Sequence, residues 1–182
     1  MMKIDINTHI FKDIKYINID NFDNRSKNID IDTIIIHCIS LPAGKYDNDN
    51  VINLFKNNLD IKKHKSFNDL ANLKVSSHLF IRRNGELIQF VPFHLRAWHA
   101  GVSNFRGRDN CNDFSIGIEL EGTTDSKFTD EQYSMLINVI TSIKAYYPKI
   151  IDDNIIGHDE IAPNRKSDPG VYFDWKRLKG NI

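Results

Sequence analysis

Thr33-Ile34-Ile35-Ile36 is a β-branched run that predicts a buried strand, and His37 follows it directly. Residues 115–120, Ser-Ile-Gly-Ile-Glu-Leu, predict a second strand. It ends in two carboxylates, Glu119 and Glu121, which lie on one face because side chains of a strand alternate with a period of two. One strand therefore presents a histidine at its end, and another presents two carboxylates that compete for the same role.

A β-hairpin is predicted further along the chain. The alternation over residues 75–82 and 86–91 is that of two strands, and Asn84-Gly85 lies between them. Asn-Gly between two such runs is the strongest short hairpin signal, because both residues tolerate a positive φ. We therefore expect an antiparallel pair at this point of the sheet.

Two helices are predicted from the spacing of apolar residues. One covers residues 51–59, with Asp49 or Asn50 as its cap. The other begins at residues 129–132, Thr-Asp-Glu-Gln, which form a capping box, and Pro148 stops it. Its apolar face consists of Tyr133, Leu136, Ile140, Ile143 and Tyr147. Because strands and helices alternate, with one hairpin among them, we expect an α/β (α+β) fold with a central mixed sheet flanked by helices.

Composition limits the choice of domain organisation and partners. The chain has 182 residues, 41% of them hydrophobic, which suits one domain with a substantial core. Residues 1–28 are polar, and we expect an irregular N-terminal segment there, followed by the main domain at 29–182. The formal net charge is zero, so we expect no general attraction to nucleic acid or to an anionic membrane. No apolar run resembles a signal peptide or a bilayer span, and Cys38 and Cys111 are expected to be free thiols, which together predict a cytoplasmic protein.

Three polar residues could hold a metal ion, although none belongs to a local metal-binding motif. His37 ends a strand, His158 follows Ile155-Ile156-Gly157, and Asp168 lies in a turn that Pro169 stiffens. Two histidines and a carboxylate match the three protein ligands of a catalytic zinc ion, which leaves a fourth position for water. In the other interpretation, the histidines are polar strand ends and Asp168 is a hydrogen-bonded turn residue. Spacing alone favours this second interpretation.

Glu119, Lys166, Trp98 and His99 are the remaining candidates for chemistry. Glu119 could take a proton from water and return it to a leaving nitrogen, or it could be an exposed strand-end acid. Lys166 could stabilise a developing oxyanion, although a solvated loop lysine is the more common case. Trp98-His99, which precedes a turn of small residues, could line a pocket for sugar or peptide, or Trp98 could be a core residue. His99 is also the main rival as a zinc ligand.

Five ordered stretches resemble a known family. The chain is similar to the bacterial anhydro-N-acetylmuramyl-L-alanine amidases of peptidoglycan recycling, within the zinc amidase and peptidoglycan recognition protein superfamily. The resemblance runs from about residue 30 to residue 178. The matching stretches are IIIHCISLPAGKY from residue 34, VSSHLFIRRNGELIQFVPFHLRAWHAGVS from residue 75, GRDNCNDFSIGIELEGT from residue 107, FTDEQY from residue 128 and GHDEIAPNRKSDPG from residue 157.

The resemblance implies a role for each candidate. His37, His158 and Asp168 would be the ligands of one Zn²⁺ per chain, Glu119 the general base and then acid, and Lys166 the oxyanion stabiliser. Residues 29–182 would form the zinc amidase domain, with a mixed sheet and packed helices. The substrate would be an anhydro-muramyl peptide, which is a muropeptide.

Three positions depart from the family pattern. The family often has Asn where this chain has Cys38, and Arg where it has Lys74 and Asn110. These three residues, with Trp98 and His99, are the expected substrate contacts. Lys and Asn lack the two parallel donors with which a guanidinium binds a carboxylate, so weaker recognition of the peptide is expected.

Two alternatives stand beside the recycling amidase. A binding module would hold muropeptides without cutting them, but recognition proteins that only bind typically lose a metal ligand, and all three types are present here. An endolysin-type amidase would act on intact cell wall, whereas the expected cytoplasmic location favours imported anhydro-sugar fragments. We expect a monomer with no nucleic-acid or membrane partner.

Overall fold

The computed structural model describes residues 1–182, which form twelve β-strands, four α-helices and four short 3-10 helices. The strands are β1 (Ile4–Asp5), β2 (Ile10–Phe11), β3 (Lys15–Tyr16), β4 (Phe22–Asn24), β5 (Thr33–Ile39), β6 (Leu79–Ile81), β7 (Leu87–Gln89), β8 (Leu95–Ala97), β9 (Asn104–Phe105), β10 (Arg108–Asp109), β11 (Ser115–Glu121) and β12 (Ile155–Gly157). The α-helices are α1 (Asn50–Phe55), α2 (Asp130–Tyr146), α3 (His158–Ile161) and α4 (Trp175–Lys179), and the 3-10 helices are Ile61–Lys63, Lys65–Leu70, Cys111–Asp113 and Asp152–Asn154.

Six strands form one mixed sheet in the order β12-β5-β11-β6-β7-β3. The first four strands of this order run parallel to their neighbours, and β6 and β7 are antiparallel. β3 joins the far edge, parallel to β7. The expected central mixed sheet flanked by helices is confirmed.

β5 and β11 lie side by side in the middle of this sheet, with Thr33 opposite Ser115. Their even-numbered residues from 34 to 36 and from 116 to 118 are isoleucines that pack in the same core cluster as α2. Because side chains alternate along a strand, the odd-numbered His37 and Glu119 lie on the opposite face. The β-branched runs therefore provide a rigid wall that carries polar groups on one side.

The hairpin predicted at Asn84-Gly85 is present. Gly85 has a φ of +82°, and the amide of Arg82 donates to the carbonyl of Glu86 at 2.9 Å. The strands on either side are shorter than the alternation predicted. Only the paired residues of β6 and β7 have regular strand geometry.

The capping box of α2 is confirmed. The Thr129 hydroxyl accepts from the Gln132 amide at 3.1 Å, and the Gln132 side chain accepts from the Thr129 amide at 3.1 Å. The predicted apolar face is buried as far as Ile143, and the helix ends at Tyr146, two residues before Pro148. None of the helices has both the length and the apolar character needed to cross a membrane.

α1 is shorter than the predicted helix over residues 51–59. It begins after Asp49, as expected, but the Asp49 side chain forms no capping hydrogen bond. Asn57 has a φ of +58°, a left-handed conformation that a continuing right-handed helix cannot contain. The residues after Phe55 therefore form a turn, and their apolar spacing does not reflect a continuing helix.

The N-terminal segment, residues 1–28, differs from the expected irregular wrap because it contains β1 to β4. Ile4 and Phe11 are buried in the core cluster that includes α2, and Ile19 is buried in the cluster that includes α1. Strands of two or three residues are too short to show a periodic pattern, so they could not be predicted from the sequence. The boundary between this segment and residues 29–182 stays a prediction.

Candidate metal centre and active site

His37, His158 and Asp168 converge at the carboxyl end of the parallel strands. His37 lies within β5, and His158 follows β12 directly, so neighbouring strands bring the two rings to one edge of the sheet. His37 Nδ1 lies 2.9 Å from His158 Nδ1, and Asp168 Oδ2 lies 3.1 Å and 3.0 Å from these two nitrogens. The predicted trio is thus brought together from three distant parts of the chain.

Two glycines allow the chain to fold closely around this point. A Cβ at Gly157 would lie 2.2 Å from Asp159 Oδ1 and 2.9 Å from Pro169 Cδ. Gly170 has a φ of +93°, and a Cβ there would lie 2.1 Å from the carbonyl oxygen of Thr124. Both positions require glycine, and together they hold the turn of Asp168 against the end of β12.

The arrangement of these three side chains fits a metal ion. The Ala100 carbonyl lies 3.1 Å from His158 Nε2 and can only accept, so Nε2 carries the proton and Nδ1 presents a lone pair. That lone pair faces the Asp168 carboxylate, which is also an acceptor, and a cation between them would satisfy both. Zinc bonds of about 2.0–2.2 Å in tetrahedral geometry separate ligand atoms by about 3.3–3.6 Å. The separations of 2.9–3.1 Å found here need to widen by only a few tenths of an ångström.

Burial and hydrogen bonding shift the titration of this cluster. Burial lowers the pKa of His37 to about 4, although the hydrogen bond with Asp168 acts in the opposite direction. Burial would raise the pKa of Asp168, but the adjacent His158 and His37 rings outweigh it and hold this pKa well below its ordinary value. At neutral pH the site therefore presents a neutral His37 and an ionised Asp168, which are the protonation states that metal ligation requires.

Glu119 lies beside this cluster as the register partner of His37. Its side chain is 9% exposed, and its Oε2 atom has no hydrogen-bond partner. Burial, followed by the negative charge of Asp168, raises the pKa of Glu119 well above its ordinary value, while Lys166 acts to lower it. Glu121, its competitor, instead accepts a hydrogen bond from the Arg83 amide at 3.0 Å. Only Glu119 keeps a free oxygen beside the three converging ligands.

A cavity of about 250 Å³ opens onto these residues. Four of the other predicted site residues line it: Cys38, Trp98, His99 and Lys166. Lys74 lines a neighbouring cavity of about 240 Å³, and Leu54, Leu70 and Leu73 line both. A ligand that occupies the first cavity can therefore extend along a shared apolar wall towards the ammonium of Lys74.

Two of the predicted site residues, His99 and Asn110, lie away from the positions that their expected roles suggested. His99, the rival zinc ligand, lies outside the metal-binding trio, and its Nδ1 instead faces His37 Nε2 at 3.0 Å. Asn110 is exposed, has a φ of +57° and lies outside both cavities. Cys38 and Cys111 are free thiols, as expected.

Sequence reasoning missed three residues that support the site, namely Arg25, Asn112 and Ser115. The Asn112 side chain accepts from the amides of His99 and Ala100, and the Ser115 hydroxyl lies 3.4 Å from His99 Nε2. The guanidinium of Arg25 donates to the carbonyls of both Asn112 and Ser115 at 2.8 Å. Asn112 stands within the Cys-Asn-Asp run of the resemblance, which is the one signal that could have found it.

Fold and site together define the class of protein. The family model described as N-acetylmuramoyl-L-alanine amidase matches residues 27–171, and the chain belongs to this family. Within the family it is 46% identical to the 1,6-anhydro-N-acetylmuramyl-L-alanine amidase AmpD of Haemophilus influenzae, over 100% of both chains. A crystal structure of a Se-Met AmpD derivative superposes with a TM-score of 0.95 at 42% identity, covering 100% of this chain and 99% of the other.

A further solved structure shows a relative with its substrate. It is the N-acetylmuramyl-L-alanine amidase AmiD from E. coli, in complex with anhydro-N-acetylmuramic acid-L-Ala-D-gamma-Glu-L-Lys. The match has a TM-score of 0.61 and 31% identity, and it covers 87% of this chain and 60% of AmiD. These comparisons confirm both the expected family and the expected fold.

Proposed function

We propose that this protein is a zinc-dependent amidase of peptidoglycan recycling, which acts in the cytoplasm as a monomer. It would hydrolyse the amide bond between 1,6-anhydro-N-acetylmuramic acid and L-alanine in muropeptides. The observation that carries the proposal is the free, buried Oε2 of Glu119 beside three converging ligand atoms. The identity to AmpD along the whole chain supports the choice of substrate.

His37, His158 and Asp168 would hold the zinc ion through Nδ1, Nδ1 and Oδ2 respectively. When bound, zinc supplies Lewis acidity, which activates water at neutral pH and polarises a carbonyl. The protein contributes a rigid donor set, because two of the three ligands are attached to neighbouring strands. It also fixes the direction of the His158 ring through the Ala100 carbonyl.

Glu119 would move the proton in this reaction. Its carboxylate takes a proton from the attacking water as the new C–O bond forms at the lactyl carbonyl. It then gives that proton to the alanine nitrogen as the C–N bond breaks, so a carboxylic acid and a free amine leave the site. Burial, which raises the pKa of Glu119, favours the second half of this cycle because the buried carboxyl retains a proton until the nitrogen takes it.

Lys166 would stabilise the negative charge that develops on the lactyl oxygen. Its side chain lines the same cavity as Glu119 and the metal-binding trio, although the residue is largely exposed. A positioned cationic donor of this kind typically contributes about 3–4 kcal/mol to transition-state stabilisation. Lys166 is exposed in the free protein, so this role requires that bound substrate shield its ammonium from water.

Substrate binding is assigned to Cys38, Lys74, Trp98, His99 and Asn110. Trp98 offers an aromatic face to the sugar, and Lys74 offers a cation to a peptide carboxylate through the adjoining cavity. The complex of AmiD with an anhydro-muramyl peptide supports a ligand of this length. Asn110, which lies outside both cavities, would contact only a part of the substrate that projects beyond them.

The test is mass spectrometry of anhydro-muramyl tripeptide incubated with the zinc-loaded protein, with and without a chelator. The proposal predicts release of free tripeptide, its loss on chelation and its return when zinc is restored. If folded, zinc-loaded protein leaves the tripeptide intact but clears a suspension of purified sacculi, the enzyme acts on intact wall. Binding of the tripeptide without any cleavage would indicate a recognition module.

A further inference from the structure

The two histidine ligands can serve as proposed only if both carry their proton on Nε2, because both Nδ1 atoms face Asp168. For His158 the tautomer is determined by one contact. The Ala100 carbonyl lies 3.1 Å from Nε2, and a carbonyl has no proton to donate. His158 is therefore the donor through Nε2, and its Nδ1 presents the lone pair.

For His37 the tautomer depends on a chain of hydrogen bonds that ends at another carbonyl. The Ser115 hydroxyl donates to the Cys111 carbonyl at 2.5 Å, so it can only accept from His99 Nε2, 3.4 Å away. His99 then has a lone pair on Nδ1, which accepts from His37 Nε2 at 3.0 Å. This chain of donors and acceptors favours the His37 proton on Nε2, where His99 accepts it, and therefore favours a lone pair on His37 Nδ1.

The two acceptors that fix the histidine ligands belong to consecutive residues, His99 and Ala100. One side-chain atom, Asn112 Oδ1, accepts from both of their backbone amides, at 3.1 Å and 2.8 Å. The ring of His99 also packs directly against the backbone of Gly117, because a Cβ at that residue would lie 2.5 Å from the ring. The amides of both acceptor residues therefore share one acceptor oxygen, while the guanidinium of Arg165 donates to the Ala100 carbonyl at 2.7 Å.

We propose that Asn112 is a positioning residue of the metal centre, because its side-chain oxygen holds the two acceptors that set the tautomer and orientation of His37 and His158. The inference rests on the proposed metal site but not on the substrate. Outer hydrogen bonds to metal-ligating histidines typically change metal affinity by about 10–100-fold. The guanidinium of Arg25 in turn holds Asn112, because it donates to the Asn112 backbone carbonyl at 2.8 Å.

Replacement of Asn112 by Ala removes the shared acceptor and should release both histidines. We expect Asn112→Ala to bind zinc about 10–100-fold more weakly in competition with a chromogenic chelator. In the metal-free protein, long-range ¹H–¹⁵N spectra should show that His37 and His158 both lose the pure Nε2–H pattern. Asn112→Asp keeps an acceptor oxygen at the same place, so it should restore both properties.

Ser115→Ala provides a second variant that separates the two ligands. It removes the acceptor of His99 Nε2, so only His37 should change its tautomer, and His158 should keep the wild-type pattern. Asn138→Ala is the matched control for the truncation, because Asn138 is exposed on α2 and its side chain forms no hydrogen bond. It should leave the tautomers and the zinc affinity unchanged.

Wild-type zinc affinity together with pure Nε2–H tautomers in folded Asn112→Ala would overturn the inference. If Asn112→Ala does not fold, an unchanged His37 tautomer in Ser115→Ala would do the same. None of these measurements uses a muropeptide. A wild-type protein that binds zinc but cleaves no muropeptide would therefore refute the proposed function and leave the role of Asn112 standing.

Discussion

His37 and Glu119 are register partners on β5 and β11, so their side chains leave the sheet on the same face. The hydrogen-bonded ladder between these parallel strands sets the separation of the proposed metal ligand and the carboxylate, and no mobile loop lies between them. Glu121 lies two residues further along, where the Arg83 amide occupies its carboxylate. Two acids on one face of one strand therefore have different roles.

This difference predicts the effect of neutralising each acid. Glu119→Gln should lower kcat/KM for anhydro-muramyl tripeptide by about 10²–10⁴-fold, because an amide cannot accept the proton of the attacking water. Glu121→Gln keeps an acceptor for the Arg83 amide and should retain most of the wild-type rate. Zinc content is measured in both variants. Equal losses in the two, at full zinc content, would show that Glu119 is not the base.

Glu119→Gln should also change how the stability of the metal-free protein depends on pH. The pKa of Glu119 is raised by burial, so above pH 4.5 the unfolded chain releases this proton before the folded protein does. The free energy of unfolding therefore falls as the pH rises towards the folded-state pKa. Gln cannot ionise and avoids this loss. We expect the variant to gain melting temperature over the wild type on going from pH 5 to pH 8 in chelator, and a constant difference would contradict this.

The sequence predicted the elements whose signals are local and left out those that depend on contacts. β5, β11 and the capping box of α2 follow from β-branched runs and from one four-residue motif. The metal-binding trio could not be predicted from sequence spacing. His37 and His158 are 121 positions apart, and only the parallel pairing of β12 with β5 brings them together. Residues 1–28 were expected to be irregular, but β1 pairs with β2, and β3 and β4 pair with the distant β7 and β8. Strands this short leave no periodic pattern in the sequence. Asn112 carries no signal apart from its place in the Cys-Asn-Asp run, because only the folded chain brings it beside His99.

Lys166 should affect catalysis more than binding. Lys166→Ala is expected to reduce kcat by about 10²–10³-fold with zinc affinity unchanged, because the ammonium acts on charge that appears only in the transition state. Lys166→Arg keeps a cation and should recover part of the rate. Lys176→Ala, a truncation of an exposed lysine on α4, is the control. An unchanged kcat in Lys166→Ala would remove this lysine from the mechanism.

Lys74 should influence KM. A guanidinium can bind a peptide carboxylate with two parallel hydrogen bonds, so Lys74→Arg is expected to lower KM roughly fivefold, equivalent to about 1 kcal/mol, with little effect on kcat. Lys62→Arg makes the same exchange on a neighbouring exposed turn and should have no effect. Steady-state kinetics with tripeptide and with a dipeptide analogue measure the change. A KM that does not respond would mean that the cavity beside Lys74 takes no charged part of the substrate.

Arg25 should link the N-terminal segment to the stability of the whole protein. Its guanidinium donates to the carbonyls of Phe93, Asn112, Asp113 and Ser115 at 2.8–3.3 Å, and burial lowers its pKa to about 10. Arg25→Met keeps the unbranched apolar part of the side chain but leaves buried carbonyls without donors, at a cost on the order of 3 kcal/mol.

For a chain of this size, a cost of 3 kcal/mol lowers the melting temperature by about 10 °C, which calorimetry would detect. Lys27→Met is the matched control, because Lys27 is exposed in the same segment and should cost little. Equal melting temperatures for the two variants would mean that residues 1–28 are held by their apolar side chains alone. A large loss confined to Arg25→Met would instead show that this segment is a structural part of the amidase domain, because the donors of Arg25 reach the backbone that supports His99.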